Sequence, residues 1–326
     1  MFDLEIGRII NWIRDRGFSS VALQLPEGLK IRGAELSDII ACETGAGVLI
    51  LGYPCYGACD LFIDYKRYAD ALVHFGHSPI PSMGEDRDVL FIEAHTSFDI
   101  VPAVDAIMDE LPQKVGLLAT VQYVDMLPAV EKEIGSSGRE TVIGRGDTRI
   151  FYPGQVLGCN CSSALSVQDS VDGFLFIGEG DFHPLAAAFG VKKPLLVLNP
   201  VTGELRNIDD IRDRILRKRF AAIESARDAK DFVVIVCGKA GQNRMPLAKE
   251  ICGKIRSAGR NAYLVMMDEI TPSALLSFKA DAYVCTGCSR VAMDDSVRYP
   301  RPVLTATEID IALGLSKWDD YTFDSI

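Results

Sequence analysis

Four short apolar runs, repeated as a set three times along the chain, constrain the fold more tightly than any other feature of this sequence. The first set is VALQLPEG from 21, VLILGYP from 48, ALVHFGH from 71 and VLFIEA from 89. The second is VGLLATVQ from 115, IFYPGQVLG from 150, GFLFIGEG from 173 and LLVLNP from 195. The third is FVVIVCGK from 232, AYLVMMDE from 262, AYVCTG from 282 and PVLTATE from 302. Apolar runs this short, bounded by Gly, Pro or Asp, read as strands buried on both faces, as in parallel sheets. Segments of helical periodicity lie between them, among them 101–111, 205–227 and 247–258. The repeat is too long for a solenoid unit and suits α/β domains of about 100 residues. The expected fold is α/β: three similar small domains, each a four-stranded parallel sheet with flanking helices, spanning 1–105, 106–203 and 204–326 and arranged around a common centre.

Ligands in such sheets bind beyond the carboxyl ends of the strands, and those positions hold most of the cysteines. Cys55 and Cys59 lie in GYPCYGACD, Cys159 and Cys161 in GQVLGCNCSS, and Cys285 and Cys288 in CTGCSRVAMDD. Three domains facing one point bring a cysteine from each to it. The other three of the nine, Cys42, Cys237 and Cys252, sit in apolar contexts and read as core. A buried, inert thiol is the ordinary fate of a free cysteine, but all six being inert at three equivalent strand ends is the weaker reading. Cys285 and Cys288 form a C-x-x-C pair, yet no second close pair completes a zinc site. Thiolates favour iron–sulfur clusters, zinc or copper(I). Three of them on a four-iron cluster leave one iron open, which points to catalysis. Ordinary ferredoxin spacing is absent. His74 lies within a strand and reads as structural, whereas His77 stays open between structure and function. GEGDFHP follows a strand and lacks the third glycine of a dinucleotide fingerprint, but its glycines allow a ligand to approach the backbone.

Charge and composition narrow the classes further. The net charge of −11 disfavours nucleic-acid partners, and the basic stretch 212–219 (RDRILRKR) reads as a solvated helix face. No apolar run approaches the roughly 18–20 residues that span a bilayer. The opening MFDLEIGRIINWIRDRG has the spacing of an amphipathic helix and no cleavage site, so it is not read as a signal peptide. A cytoplasmic location without a membrane partner is expected, and disulfides are not.

Taken in order, PEGL at 26–29, YGACD at 56–60, GHS at 76–78, IGRGDTR at 143–149, PGQVLGCN at 153–160, FIGEGDFHPL at 176–185 and CSRVAMDD at 288–295 resemble the archaeal diphthamide-synthesis radical enzymes. These are 2-(3-amino-3-carboxypropyl)histidine synthases, and the resemblance runs over essentially the whole chain. It implies a 4Fe–4S cluster held by Cys59, Cys159 and Cys288, one from each domain. In many relatives the last segment reads Cys-Pro-Arg; here it is Cys288-Ser289-Arg290. It also implies a homodimer that binds S-adenosylmethionine at the open iron. That enzyme moves the 3-amino-3-carboxypropyl group to carbon-2 of a histidine in translation elongation factor 2. Residues at the strand ends that suit S-adenosylmethionine are Pro26, Glu27, Gly57, Thr120, Gln122, Gly178, Gly180, His183 and Asp268. Two other readings remain at this stage, a quinolinate synthase-like iron–sulfur enzyme and a non-catalytic iron–sulfur scaffold subunit.

Overall fold

The computed structural model describes residues 2–294 and 298–326; Asp295, the last residue of CSRVAMDD, lies outside them. Helix α1 (Ile6–Arg16) turns Ile9 and Ile13 inward, one turn apart. It ends where Gly17 adopts a φ of 66° and its N–H reaches the Arg14 carbonyl. Strand β1 (Ser20–Gln24) follows, then helix α2 (Gly33–Thr44), β2 (Gly47–Leu51), β3 (Ala71–Phe75) and β4 (Val89–Ile92). All pair in parallel, in the order β2-β1-β3-β4.

The second unit holds β5 (Lys114–Ala119), helix α3 (Leu127–Ser136), β6 (Glu140–Val142), β7 (Gly173–Ile177), helix α4 (Phe182–Gly190), β8 (Leu195–Leu198) and β9 (Leu205–Asn207). Its sheet runs β6-β5-β7-β8-β9, with only β9 antiparallel. The third unit comprises helix α5 (Asp209–Ala226), β10 (Asp231–Cys237), helix α6 (Met245–Ser257), β11 (Asn261–Met267), β12 (Ala282–Cys285), β13 (Val303–Thr305) and helix α7 (Glu308–Ala312). Its order is β11-β10-β12-β13. Each sheet therefore has its second strand outside its first and its fourth outside its third, so each has a switch point between first and third strands. The runs β3 and β7 are buried at every residue, as strands covered on both faces must be.

Four sequence readings need correction. The second unit's second strand is β6, whereas 150–158 is a loop held beside β5 by an isolated bridge from Gln155 to Ala119. Pro153 has no N–H to give a ladder, and Gly154 takes a φ of 74°, which breaks an extended run. The helix expected from 205 begins at Asp209, because Leu205–Asn207 is taken up as β9 on the open edge of β8. Arg219 is fully buried rather than solvated, in a pair with Glu308. Cys42, on α2, is exposed and not core.

The units interlock beyond their sheets. Ile100 and Val104, from the short helix Val101–Asp105 and its approach, pack with Leu117 and Ile134 in the second unit's core. At the other end of the chain Phe323 stacks on Phe189 of α4 at 5.6 Å. No helix among the described residues is long and apolar enough to cross a membrane.

Candidate metal centre

The first unit presents its cysteines at the switch point. Gln24 and His74 lie at the carboxyl ends of β1 and β3 and are buried. Gln24 Nε2 donates to the Asp60 carbonyl at 2.7 Å, and the Phe62 N–H donates to Gln24 Oε1 at 3.1 Å. Gln24 thus holds the exit of the short turn Ala58–Asp60, which carries Cys59. With its amide fixed this way, Gln24 Oε1 accepts from His74 Nδ1 at 2.9 Å, which leaves His74 Nε2 to accept from His77 Nδ1 at 3.0 Å. Burial keeps both imidazoles neutral, with His77 lowered to about 4. Ligand atoms of Cys55, His74 and His77 lie within 4.8 Å of one another. Cys55 and His74 are buried and His77 is half-buried on the cavity wall, and the histidines' hydrogen bonds to Gln24 and to each other already occupy the facing nitrogens.

Cys159 sits in the loop after β6, shaped by backbone hydrogen bonds between Leu157 and Asn160. The chain's last residues clasp it: the Ile326 N–H donates to the Cys159 carbonyl at 2.9 Å, and Asn160 Nδ2 donates to the Ile326 carbonyl at 2.8 Å. Gly158 has no room for a side chain, since a Cβ there would stand 1.9 Å from Phe182 Cε1. Cys288 follows β12. Arg244 steadies that turn by donating to the Thr286 and Gly287 carbonyls, and it pairs with Asp324 at 2.7 Å.

Cys59, Cys159 and Cys288 all line one cavity of about 920 Å³, at the top of the range for a small-molecule site. Burial pushes all three thiols up, Cys288 to about 12, and the cysteines raise one another where they face. Unlike the Cys55 group, they are not gathered within 4.8 Å of one another. Buried cationic donors surround the same sulfurs. Arg149 Nε and Arg290 Nη1 are buried without a hydrogen-bond partner among the described residues, as fits a site for a buried anionic cluster. The neighbouring cysteines behave differently. Cys161 is core, against Gly190 of α4, and Cys285 is the buried last residue of β12.

Of the residues expected to hold S-adenosylmethionine, the cavity wall includes Pro26, Gly57, Gln122, His183 and Asp268. Glu27, Thr120, Gly178 and Gly180 are not part of it: Glu27 pairs with Lys30 near the surface, and Thr120 is buried at the end of β5. Gln122 is also structural, since its Nε2 donates to the Gly76 carbonyl at 2.8 Å across the first and second units. Sequence reasoning missed Phe182, Lys239, Gln242 and the Ile270–Ser273 segment of the wall. Lys239 ends the quoted strand run FVVIVCGK, and Gln242 follows it three residues on. Phe182 and Arg290 were inside quoted motifs but had no assigned task.

The matched sheets, with one cysteine from each unit on a common cavity, define a class: a three-unit α/β protein with a candidate tricysteine centre. The family model described as "Putative diphthamide synthesis protein" matches residues 25–322. The chain belongs to the diphthamide synthesis protein family. It is 37% identical to the 2-(3-amino-3-carboxypropyl)histidine synthase of Pyrococcus horikoshii, covering 100% of this chain and 94% of that one. It is 30% identical to subunit 1 of the Schizosaccharomyces pombe synthase, covering 98% of this chain and 75% of that subunit. Among solved structures, Dph2 from Pyrococcus horikoshii with a 4Fe-4S cluster superposes with a TM-score of 0.89 at 36% identity, covering 100% of this chain and 95% of that one.

Proposed function

We propose that this chain is a 2-(3-amino-3-carboxypropyl)histidine synthase, which takes the 3-amino-3-carboxypropyl group from S-adenosylmethionine and places it on carbon-2 of a histidine in translation elongation factor 2. The observation that carries the reading is one cysteine from each of three like units on a single large cavity. Cys59, Cys159 and Cys288 would hold the 4Fe–4S cluster. When bound, the cluster would supply the electron for opening the carbon–sulfur bond of S-adenosylmethionine.

The chain's own residues do the rest. Phe182, Ile270 and Tyr299 give the cavity apolar wall, which keeps water from a reactive carbon-centred group. Gly57, His183 and Asp268 stand on the cavity wall, and Gln122 keeps its amide oxygen there while its Nε2 is held by backbone carbonyls, polar points that suit a sulfonium and its amino acid. Burial lowers His183 to about 4, so it meets the ligand as a neutral imidazole that accepts or donates one hydrogen bond.

The active unit is a homodimer in the cytoplasm. Support for the dimer comes from two sheet edges: β2 exposes Leu49 and Ile50, and β11 exposes Tyr263, Leu264 and Met266, apolar edges of the kind proteins cover. Nine free cysteines suit a reducing compartment. The test is anaerobic reconstitution with iron and sulfide, followed by reductant, S-adenosylmethionine and elongation factor 2. Methylthioadenosine should be released and one histidine of the factor should gain a single aminocarboxypropyl mass. Equal labelling of free histidine, or quinolinate as product, would overturn the reading.

A further inference from the structure

We propose that Gln242, Arg149 and Arg290 are positioning residues that set one N–H donor against each cysteine corner of the centre and thereby raise the reduction potential of the cluster. The inference rests on the tricysteine reading above and assigns work to side chains that reading leaves idle.

Gln242 is buried on the short turn Ala240–Gln242 of the third unit, yet it serves the first. Its Nε2 donates to Cys59 Sγ at 3.3 Å and to Asp60 Oδ1 at 3.0 Å. The turn lies so close that a Cβ on Gly241 would be 2.4 Å from Cys59 Cα. Arg149 comes from the second unit. Its Nη2 donates to the Gly241 carbonyl at 3.1 Å, which ties the same turn to the Cys159 loop. The guanidinium stands against Cys159, and its buried Nε has no partner among the described residues. Arg290 begins the helix after Cys288. Nε and Nη2 are taken by Asp294 at 3.0 and 2.8 Å, and the plane lies 4.4 Å from the centre of the Phe182 ring. That leaves Nη1, buried and without a partner among the described residues.

An unpaired guanidinium N–H in the interior is costly. Arg149 stands against the Cys159 side chain, the Arg290 charge acts on the Cys288 thiol, and Gln242 donates to Cys59, three donors explained together by an anionic group between the three sulfurs. A one-electron reduction adds a negative charge to that group and no proton. N–H donors and cationic groups at the sulfurs stabilise the more negative state, so they make the electron easier to add. The donors come from two units, Arg149 from the second and Gln242 and Arg290 from the third, and Gln242 crosses from the third unit to the first unit's cysteine.

The experiment is a redox titration of the reconstituted chain with dithionite, followed by paramagnetic resonance, with iron and sulfide counted per chain. Gln242→Met, Arg149→Met and Arg290→Met are compared with the parent. Each lost donor should leave reduction about tenfold less favourable, about 59 mV to the negative side for one electron. Arg149→Lys keeps the charge and should shift less than Arg149→Met. Should a Met variant fail to take up iron, Gln242→Glu decides: it keeps the shape, replaces the donor by a carboxylate, and must shift the potential further negative. Iron retained with the potential unmoved in Gln242→Met, Arg149→Met and Gln242→Glu overturns the proposal. A parent chain that takes up no iron overturns the tricysteine reading itself.

Discussion

At the scale of single residues, cysteines of similar sequence context divide by what surrounds them. Cys59→Ala, Cys159→Ala and Cys288→Ala should each lower iron content per chain and abolish methylthioadenosine release. Cys161→Ala and Cys285→Ala should keep iron and cost about 1 kcal/mol of stability, the loss of a small buried group, seen as a lower urea midpoint. Iron lost from Cys161→Ala and kept by Cys159→Ala would reverse the assignment. His95 gives a pH-dependent contribution. Its Nε2 meets Glu93 Oε2 at 2.6 Å, and that hydrogen bond holds the imidazole above its ordinary range, with Asp125 adding to it. The folded state therefore favours protonated His95. The stabilisation is fully present below about pH 6.5 and is lost as pH rises through the raised folded value. Urea midpoints between pH 6 and pH 9 should fall less in His95→Gln than in the parent; equal slopes would remove His95 from the account.

At the scale of elements, α5 and α7 are joined by an ion pair with no solvent contact on either side. Arg219 Nε and Nη2 donate to the two Glu308 oxygens at 2.8 and 2.6 Å, and Nη1 and Nη2 reach the Ala292 and Val303 carbonyls. Glu308 also accepts the Thr305 N–H at 2.8 Å, so it fixes the end of β13. Replacing one partner leaves the other charge buried alone. Glu308→Leu should cost about 3–5 kcal/mol, measured by denaturant unfolding, and a loss under 1 kcal/mol would mean that the pair relaxes to water. The element pattern was largely legible beforehand: three sets of strands, parallel, with the second unit's first and third strands where the apolar runs put them. Its second strand was not. Glu140–Val142 takes Lys114–Gly116 of β5 and the 150–158 loop reaches only Ala119, where a side chain on Gly154 would run into Leu127 and Ile143.

At the scale of the whole molecule, the centre is assembled across units. The chain's last residues hold the Cys159 loop through Ile326, and Asp324 holds the Cys288 turn through Arg244. Asp324→Asn should therefore weaken iron retention during gel filtration without unfolding the sheets, as judged by unchanged far-ultraviolet dichroism. Gly241→Ala is the sharper test of assembly, because its Cβ would displace the Cys59 backbone. Iron content should fall to near zero while the urea midpoint moves by less than that of Glu308→Leu. Docking of the elongation factor is expected to slow as salt rises, given the net charge of −11, and stopped-flow association at two ionic strengths measures it.

The sequence by itself determined the repeated α/β units and the strand-end placement of Cys55, Cys59, Cys285 and Cys288, and its ordered motifs singled out Cys59, Cys159 and Cys288, the three that line the common cavity. Those features are local: apolar runs, turn residues and short motifs carry them without reference to the rest of the chain. Which donors meet which sulfur was decided only in the tertiary structure. Gln242 reaches Cys59 from 183 positions away in sequence, and Asn160 meets Ile326 across 166. No periodicity or motif encodes such contacts. They follow from how three sheets turn their carboxyl ends toward one another, where close packing leaves Gly241 room for no side chain and buries Arg149 Nε and Arg290 Nη1.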